Sequence, residues 1–377
     1  MTDSKPVSWF KRYLLPGFVL KSVVIGGGYA TGREFAEFFL SSGPAAAILG
    51  VIIAALLFSL VYAATLEFAR LHQTLEYRGF FRQLLGKGWV AFEALYLIML
   101  LLILAVISAT VDALLVEALR LPAGVGSVLF AVVVAVLTYF GTTLLERYLV
   151  IWSFVLYGFY ISFVALCLVH FGHRATDTLT ASHLQAPAAA AFNGLRYAGY
   201  NIAAMSATLF CVRHLHTRKD ALIGGLLGGP LAMLPGALFV FASLAFYPQI
   251  VSAPVPMHFL LERLNIPVFH ALFLLVVLTA LIGTGAALIH AVNERIAAAG
   301  WKWTGTLSRP ARAANAIVLM LISTVVAARA GLVALVAQGY GIITYGFILV
   351  FMLPVLTVGV WRITRRWQSA SVPQAQP

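Results

Sequence analysis

The chain has 377 residues, 62% of them hydrophobic and only 10% charged, with a net charge of +12. Soluble domains carry about 25% charged residues, so this composition excludes a water-exposed globular fold and describes an integral membrane protein. Two cysteines, Cys167 and Cys211, sit in apolar segments and supply neither a disulfide framework nor a metal-binding pair.

The first residues, "MTDSKPVSWFKRYLLPGF", lack a short apolar stretch followed by a small-residue cleavage site, so the first span is expected to be retained. A membrane-spanning helix needs about 20 apolar residues. Ten segments qualify, at about 14–40, 43–69, 89–118, 123–144, 148–171, 188–212, 219–247, 267–292, 310–328 and 331–361. The last two are separated by little more than Ala330. Between spans two and three, "LHQTLEYRGFFRQLLGKG" is too polar to cross. Its Leu75, Phe80, Phe81, Leu84 and Leu85 against Arg78, Arg82 and Lys87 predict an amphipathic helix on the cytoplasmic surface. The segment 173–187 reads as an external loop. The segment 248–266 reads as a second external element, with a short helix over "MHFLLERL". The residues after Trp367 read as a disordered tail.

Charge placement sets the orientation. With both termini cytoplasmic, the clusters Lys5/Lys11/Arg12, Arg70/Arg78/Arg82/Lys87, Arg213/Arg218/Lys219, Arg295/Lys302/Arg309/Arg312 and Arg362/Arg365/Arg366, together with Arg147, fall inside. Only Arg120, Arg174, Arg263 and Arg329 fall outside, and Lys21, Arg33 and Arg196 lie within spans. This positive-inside pattern accounts for the +12 without a nucleic-acid partner.

The first span contains "VIGGGYATGREF". Tyr13 to Leu40 would be about 42 Å long as one helix, more than the ~30 Å hydrocarbon core. Three adjacent glycines at mid-depth each cost roughly 1 kcal/mol of helix propensity relative to alanine. Unwound backbone at that depth is tolerated only inside protein or beside a wet cavity, where its carbonyls and the following helix N-terminus can hold a solute or ion. Close helix packing is the alternative reading, and Gly28 with Gly32 fits that pattern; the Arg-Glu pair that follows favours a broken helix. Arg33 and Glu37 are one turn apart and can pair, as an outer gate would. The sixth span, "AAAFNGLRYAGYNIAAMSATLFCV", is again polar and glycine-interrupted in its first half. Five spans precede it and four follow, so the halves, about 14–171 and 188–361, are inverted repeats, and 1–370 forms one transmembrane domain ahead of a disordered tail at 371–377.

The run "IGGGYATGREFAEFF" resembles the first-span signature of the YkvI family of bacterial membrane transporters, in which G-x-G-[FY]-A-[ST]-G-x-E recurs. That family belongs to the amino acid–polyamine–organocation group. The resemblance implies the leucine-transporter (LeuT) fold, all-α with ten spans in a 5+5 inverted repeat and discontinuous helices one and six. It also implies a secondary transporter with its substrate between spans one, three, six and eight, and a bacterial cytoplasmic membrane location.

The substrate site is expected at the two breaks: Gly26, Gly27, Gly28, Tyr29 and Thr31 from span one, and Tyr197, Gly199, Tyr200 and Asn201 from span six. Arg196 either guards an outer gate, meeting a carboxylate, or snorkels outward. In the implied fold a sodium ion sits between the first break and span-eight hydroxyls, for which Thr284 between Gly283 and Gly285 is the candidate. It is one side-chain oxygen where sodium sites take several. Lys21 is a second coupling candidate: its ammonium could replace the sodium or carry a proton, or it could snorkel inward. Asp112 in span three is a candidate proton relay. No metal site is read from the nine histidines, and no cofactor is expected beyond a coupling sodium ion. Without a Walker A motif or a nucleophile–base set, the chain is not read as an enzyme. Its partners are the lipid bilayer and a small-molecule substrate, an amino acid or related zwitterion by family analogy. A solute-binding receptor without flux is the alternative.

Overall fold

The computed structural model describes residues 8–24, 31–140, 142–298 and 308–371. All of its regular structure is helical. A π-helical turn, Phe10–Leu14, leads into α1 (Leu15–Val24). There follow α2 (Arg33–Phe38), α3 (Pro44–His72), α4 (Tyr77–Leu85), α5 (Trp89–Leu119), α6 (Val125–Phe140), α7 (Thr142–Thr180) and α8 (Pro187–Asn201). The second half contributes α9 (Arg218–Ser243), α10 (Pro256–Leu264), α11 (Pro267–Ala298), α12 (Arg309–Ala330), α13 (Tyr340–Phe347) and α14 (Val360–Ser371). Among the described residues, six helices are long and apolar enough to cross a membrane: Pro44–His72, Tyr77–Leu119, Arg218–Phe246, Pro267–Asn293, Arg309–Ala330 and Leu332–Arg366.

Local chemistry explains where these helices begin and end. Proline occupies the first turn of α3, α8, α10 and α12, where its missing N–H is no loss. Thr217 and Asp220 form a reciprocal capping box at the start of α9. Gly331, at φ +73°, stops α12 and separates it from Leu332–Arg366, one residue beyond the expected junction.

The tightest crossing in the molecule is that of α3 with α9, and small residues make it. A Cβ on Gly225 would lie 2.3 Å from Ala63 Cα, and one on Gly229 would lie 2.1 Å from the Ala55 carbonyl oxygen. Pro230 lacks the N–H that would bond Leu226 O four residues back; the Ser59 hydroxyl donates to that carbonyl instead, at 2.7 Å. Tyr62 ties a third and a fourth element to this crossing: its hydroxyl lies 3.0 Å from Pro16 O in α1 and 2.8 Å from Thr208 Oγ1 in the sixth span.

Four expectations need correction. The sixth span does not unravel: α8 runs to Asn201 and passes directly into a 3₁₀ helix, Ile202–His214. Runs of 3₁₀ longer than three or four residues are uncommon. This one of 13 residues is stretched, about 26 Å instead of about 20 Å at 2.0 and 1.5 Å rise. The segment 173–187 is not all loop, because α7 continues to Thr180. The side-chain pair His173–Asp177, at 2.9 Å, and Arg174 over the Phe246 ring hold that extension. Helix α4 rests on protein, with Phe80, Phe81 and Leu84 buried and Phe81 stacked on Phe92. Finally, α14 remains helical through Ser371, past the start of the expected tail.

Candidate solute site

Span one is interrupted among the described residues by Gly32. Its φ of +73° is left-handed, and a Cβ there would lie 2.3 Å from Phe239 Cζ. Neither an α-helix nor a side chain fits this position, so α2 starts afresh at Arg33, with the Arg33 N–H donating to Thr31 Oγ1 at 3.3 Å. The predicted residues Gly26, Gly27, Gly28 and Tyr29 lie outside the described residues.

A cavity of about 150 Å³ lies between the end of α1, where Val23 and Val24 line it, and the start of α2, where Glu34 does. Its other walls are Tyr96, Met99, Leu100 and Ile103 of α5, Tyr200, Asn201 and Ala204 at the α8–3₁₀ junction, Thr284 and Leu288 of α11, and Tyr340 of α13. The Tyr200 hydroxyl donates to Glu34 Oε2. Tyr340 stacks on Tyr200 with ring centroids 4.8 Å apart. Asn201 Nδ2 donates to Tyr197 O at 3.1 Å, and its carbonyl oxygen takes no donor from a described residue. Thr284 Oγ1 donates to Ala280 O at 2.9 Å and keeps its acceptor capacity.

Of the described sequence candidates, Tyr200, Asn201 and Thr284 therefore share one cavity, and the other described candidates are not among its lining residues. Gly199 is a packing glycine, since a Cβ there would meet Thr344 Cγ2 at 2.7 Å. Tyr197 is buried in an aromatic cluster with Phe35, Phe38 and Phe39. Thr31 is buried beside the start of α2. Lys21 lines a separate cavity of about 290 Å³ with Tyr160, Leu168 and Pro235. Asp112 is spent on helix capping: its carboxylate accepts from the N–H groups of Gly124, Gly126 and Ser127 at the start of α6, at 2.9 to 3.4 Å. That role satisfies the orphan donors of a helix N-terminus.

The residues expected at a gate make the following contacts. Arg33 Nη2 pairs with Glu37 at 2.8 Å, and its Nη1 donates to Val251 O at 2.7 Å and Ala253 O at 3.1 Å. Span one is thereby latched to the segment between α9 and α10. Arg196 meets no carboxylate among the described residues; it donates to Ala337 O at 3.1 Å and lies over the rings of Phe38 and Phe192. A second latch joins α10 to α5 and α11: His258 Nδ1 is 3.3 Å from Glu117 Oε1, and His258 Nε2 is 2.8 Å from His270 Nε2. The neighbouring Glu117 carboxylate, opposed by burial, holds the His258 pKa above its ordinary value. At the other end Arg295 closes α11 onto α5 and α4, with Nε 3.1 Å from Glu93 Oε1 and 3.2 Å from the Tyr77 hydroxyl.

Glu34, Tyr96 and Tyr340 are absent from the sequence candidates. Glu34 carried a signal, because it is the acid of the first-span motif and an ionisable residue inside a span is functional by default. Nothing in the sequence links Tyr340, in the last span, to the first.

No family model matches the sequence, and no curated protein matches it. Solved structures do. The chain is similar to a Na⁺-coupled sialic acid symporter in a substrate-bound outward-open state (13% identity, TM-score 0.57, covering 92% of this chain and 82% of that one). It is similar to a manganese transporter of Eremococcus coleocola (15%, TM-score 0.56, 92% and 78%) and to MhsT in complex with L-phenylalanine (15%, TM-score 0.53, 96% and 98%). These neighbours are LeuT-fold transporters, and at these identities the likeness establishes the fold.

Proposed function

We propose that the protein is a secondary active transporter that moves a small organic solute by alternating access. The observation that carries this reading is the position of the cavity. It lies where α1 gives way to α2 at the left-handed Gly32 and where α8 changes into a 3₁₀ helix. A helix interrupted within its span, as span one is at Gly32, is where transporters of inverted-repeat architecture place their sites. Two contacts between elements, Arg33 with the carbonyls of Val251 and Ala253 and Arg295 with Glu93, are ones such a cycle would open in turn.

On this reading residues 1–370 form one domain of ten spans in a 5+5 inverted repeat, in a bacterial cytoplasmic membrane, with both termini cytoplasmic. Amino acids and related zwitterions are the first substrates to test, and YkvI-type membership is retained as part of the proposal. Coupling is to sodium, with Thr284 in its site, or to protons, with Lys21 as carrier. The sodium coupling of the sialic acid symporter makes sodium the first ion to try.

The test is uptake by the full chain in proteoliposomes, with radiolabelled amino acids, amines and organic acids, with and without inward sodium or proton gradients. Saturable, gradient-dependent accumulation is expected. Solutes that raise the unfolding temperature yet never cross would instead make the protein a solute-binding receptor.

A further inference from the structure

We infer that the cavity binds the ammonium group of a small organic solute, with Glu34 as its counter-ion. The inference deepens the transporter reading and rests on it for flux, but not for binding. Glu34 is 6% exposed. One carboxylate oxygen takes the Tyr200 hydroxyl, and the other receives no donor from a described residue. A buried carboxylate is costly when ionised without a positive partner, and an ammonium beside it would supply that partner.

The spans' own cations are placed elsewhere. Arg33, next in sequence to Glu34, is turned to Glu37 and to the carbonyls of Val251 and Ala253. Arg196 lies over Phe38 and bonds Ala337 O, and Lys21 faces the other cavity. Among the described lining residues Glu34 is the one charged group.

The rest of the wall suits an ammonium on a short apolar chain better than a bare ion. Tyr96, Tyr200 and Tyr340 line the cavity, each combining an apolar ring with a hydroxyl. The Asn201 carbonyl oxygen and the tyrosine hydroxyl oxygens add acceptors for the remaining N–H donors, which an ammonium supplies three at a time. Val24, Met99, Ile103 and Leu288 offer no ligands to a hard metal ion, which takes six or more oxygens, but they cover a hydrocarbon chain. The volume of about 150 Å³ matches a solute of roughly benzene size.

The experiment uses purified full-length protein and three probes of matched shape: valine, isobutylamine and isobutyrate. Binding is read by calorimetry and thermal shift. Valine and isobutylamine should bind and isobutyrate should not. Glu34→Gln should weaken amine binding about ten- to hundredfold, the range expected for one charged hydrogen-bonded contact, with its unfolding temperature showing that it folds. Glu34→Asp keeps the charge and should retain more of the amine affinity than Glu34→Gln. Binding of isobutyrate as tight as that of isobutylamine, unchanged amine affinity in Glu34→Gln, or no amine binding at millimolar concentration would each overturn the inference. The two readings fail separately: flux indifferent to Glu34 keeps the transporter and removes the counter-ion, while Glu34-dependent binding without flux does the reverse.

Discussion

Gly32→Ala probes the interruption of span one at its described end. Two independent costs converge on this position. The left-handed backbone at φ +73° costs an alanine roughly 1–2 kcal/mol. The added methyl would also sit 2.3 Å from Phe239 Cζ and 2.7 Å from its Cε1, an overlap that the ring must relieve by moving. Overpacking of this kind costs typically about 1–3 kcal/mol. The two contributions give a loss of about 2–5 kcal/mol. Denaturant unfolding of the purified protein in detergent measures it, and a second variant separates the parts. Phe239→Leu removes the ring tip, so Gly32→Ala should cost less in that background, recovering roughly the 1–3 kcal/mol of the overlap and leaving the backbone contribution. An alanine variant that unfolds with the wild-type midpoint would refute the argument, since a position without strain is compatible with an uninterrupted helix.

Other expectations are narrower. The raised pKa of His258, caused first by Glu117, gives a sign: the contact contributes stability below about pH 6.5, the unfolded-state value, and loses it as pH rises through the higher folded-state value. Charged His258 can donate to Glu117 and His270 at once. Because Glu117 is 42% exposed, the effect should stay below about 1 kcal/mol, and Glu117→Gln should flatten that part of the unfolding-temperature profile across pH 6–8. Tyr62→Phe removes two buried hydroxyl contacts that join α1, α3 and the 3₁₀ segment. It should cost about 1–3 kcal/mol in the same unfolding assay; a neutral result would mean those groups find other partners. Thr284→Ala should lower the apparent sodium affinity of uptake if sodium is the coupling ion, and Lys21→Ala should remove the proton dependence if the proton is; each variant leaves the other ion's dependence intact.

Much of the fold was legible because the physics that sets helix ends is local. Pro44, Pro187 and Pro256 open helices within one residue of the starts expected at 43, 188 and Met257. The short helix over "MHFLLERL" appears as α10, and the pairing of Arg33 with Glu37 follows from their spacing alone. Gly225 and Gly229 of span seven make with α3 the close crossing that small residues permit. The site was legible only in part. Tyr200, Asn201 and Thr284 share the cavity because each sits near mid-depth of its span, which hydropathy reveals. Gly199 and Tyr197 are one and three residues from Tyr200, yet helix rotation turns them onto α13 and onto the span-one phenylalanines. Depth can be read from a sequence, but azimuth depends on which helices lie alongside. The same limit hid Tyr340, whose ring meets Tyr200 only through tertiary packing, and the capping partners of Asp112, the N–H groups opening the next helix.

The claim that this cavity is the transport site is tested most directly by filling it. Ala204 lines the cavity from the start of the 3₁₀ segment, and Ala204→Phe places there a phenyl ring about the size of the benzene that a 150 Å³ void holds. Proteoliposomes carrying this variant, shown by its elution and unfolding profile to be folded, should accumulate no solute under the gradient that drives the wild type. Uptake at the wild-type rate with the ring in place would put the passage for solute elsewhere in the molecule.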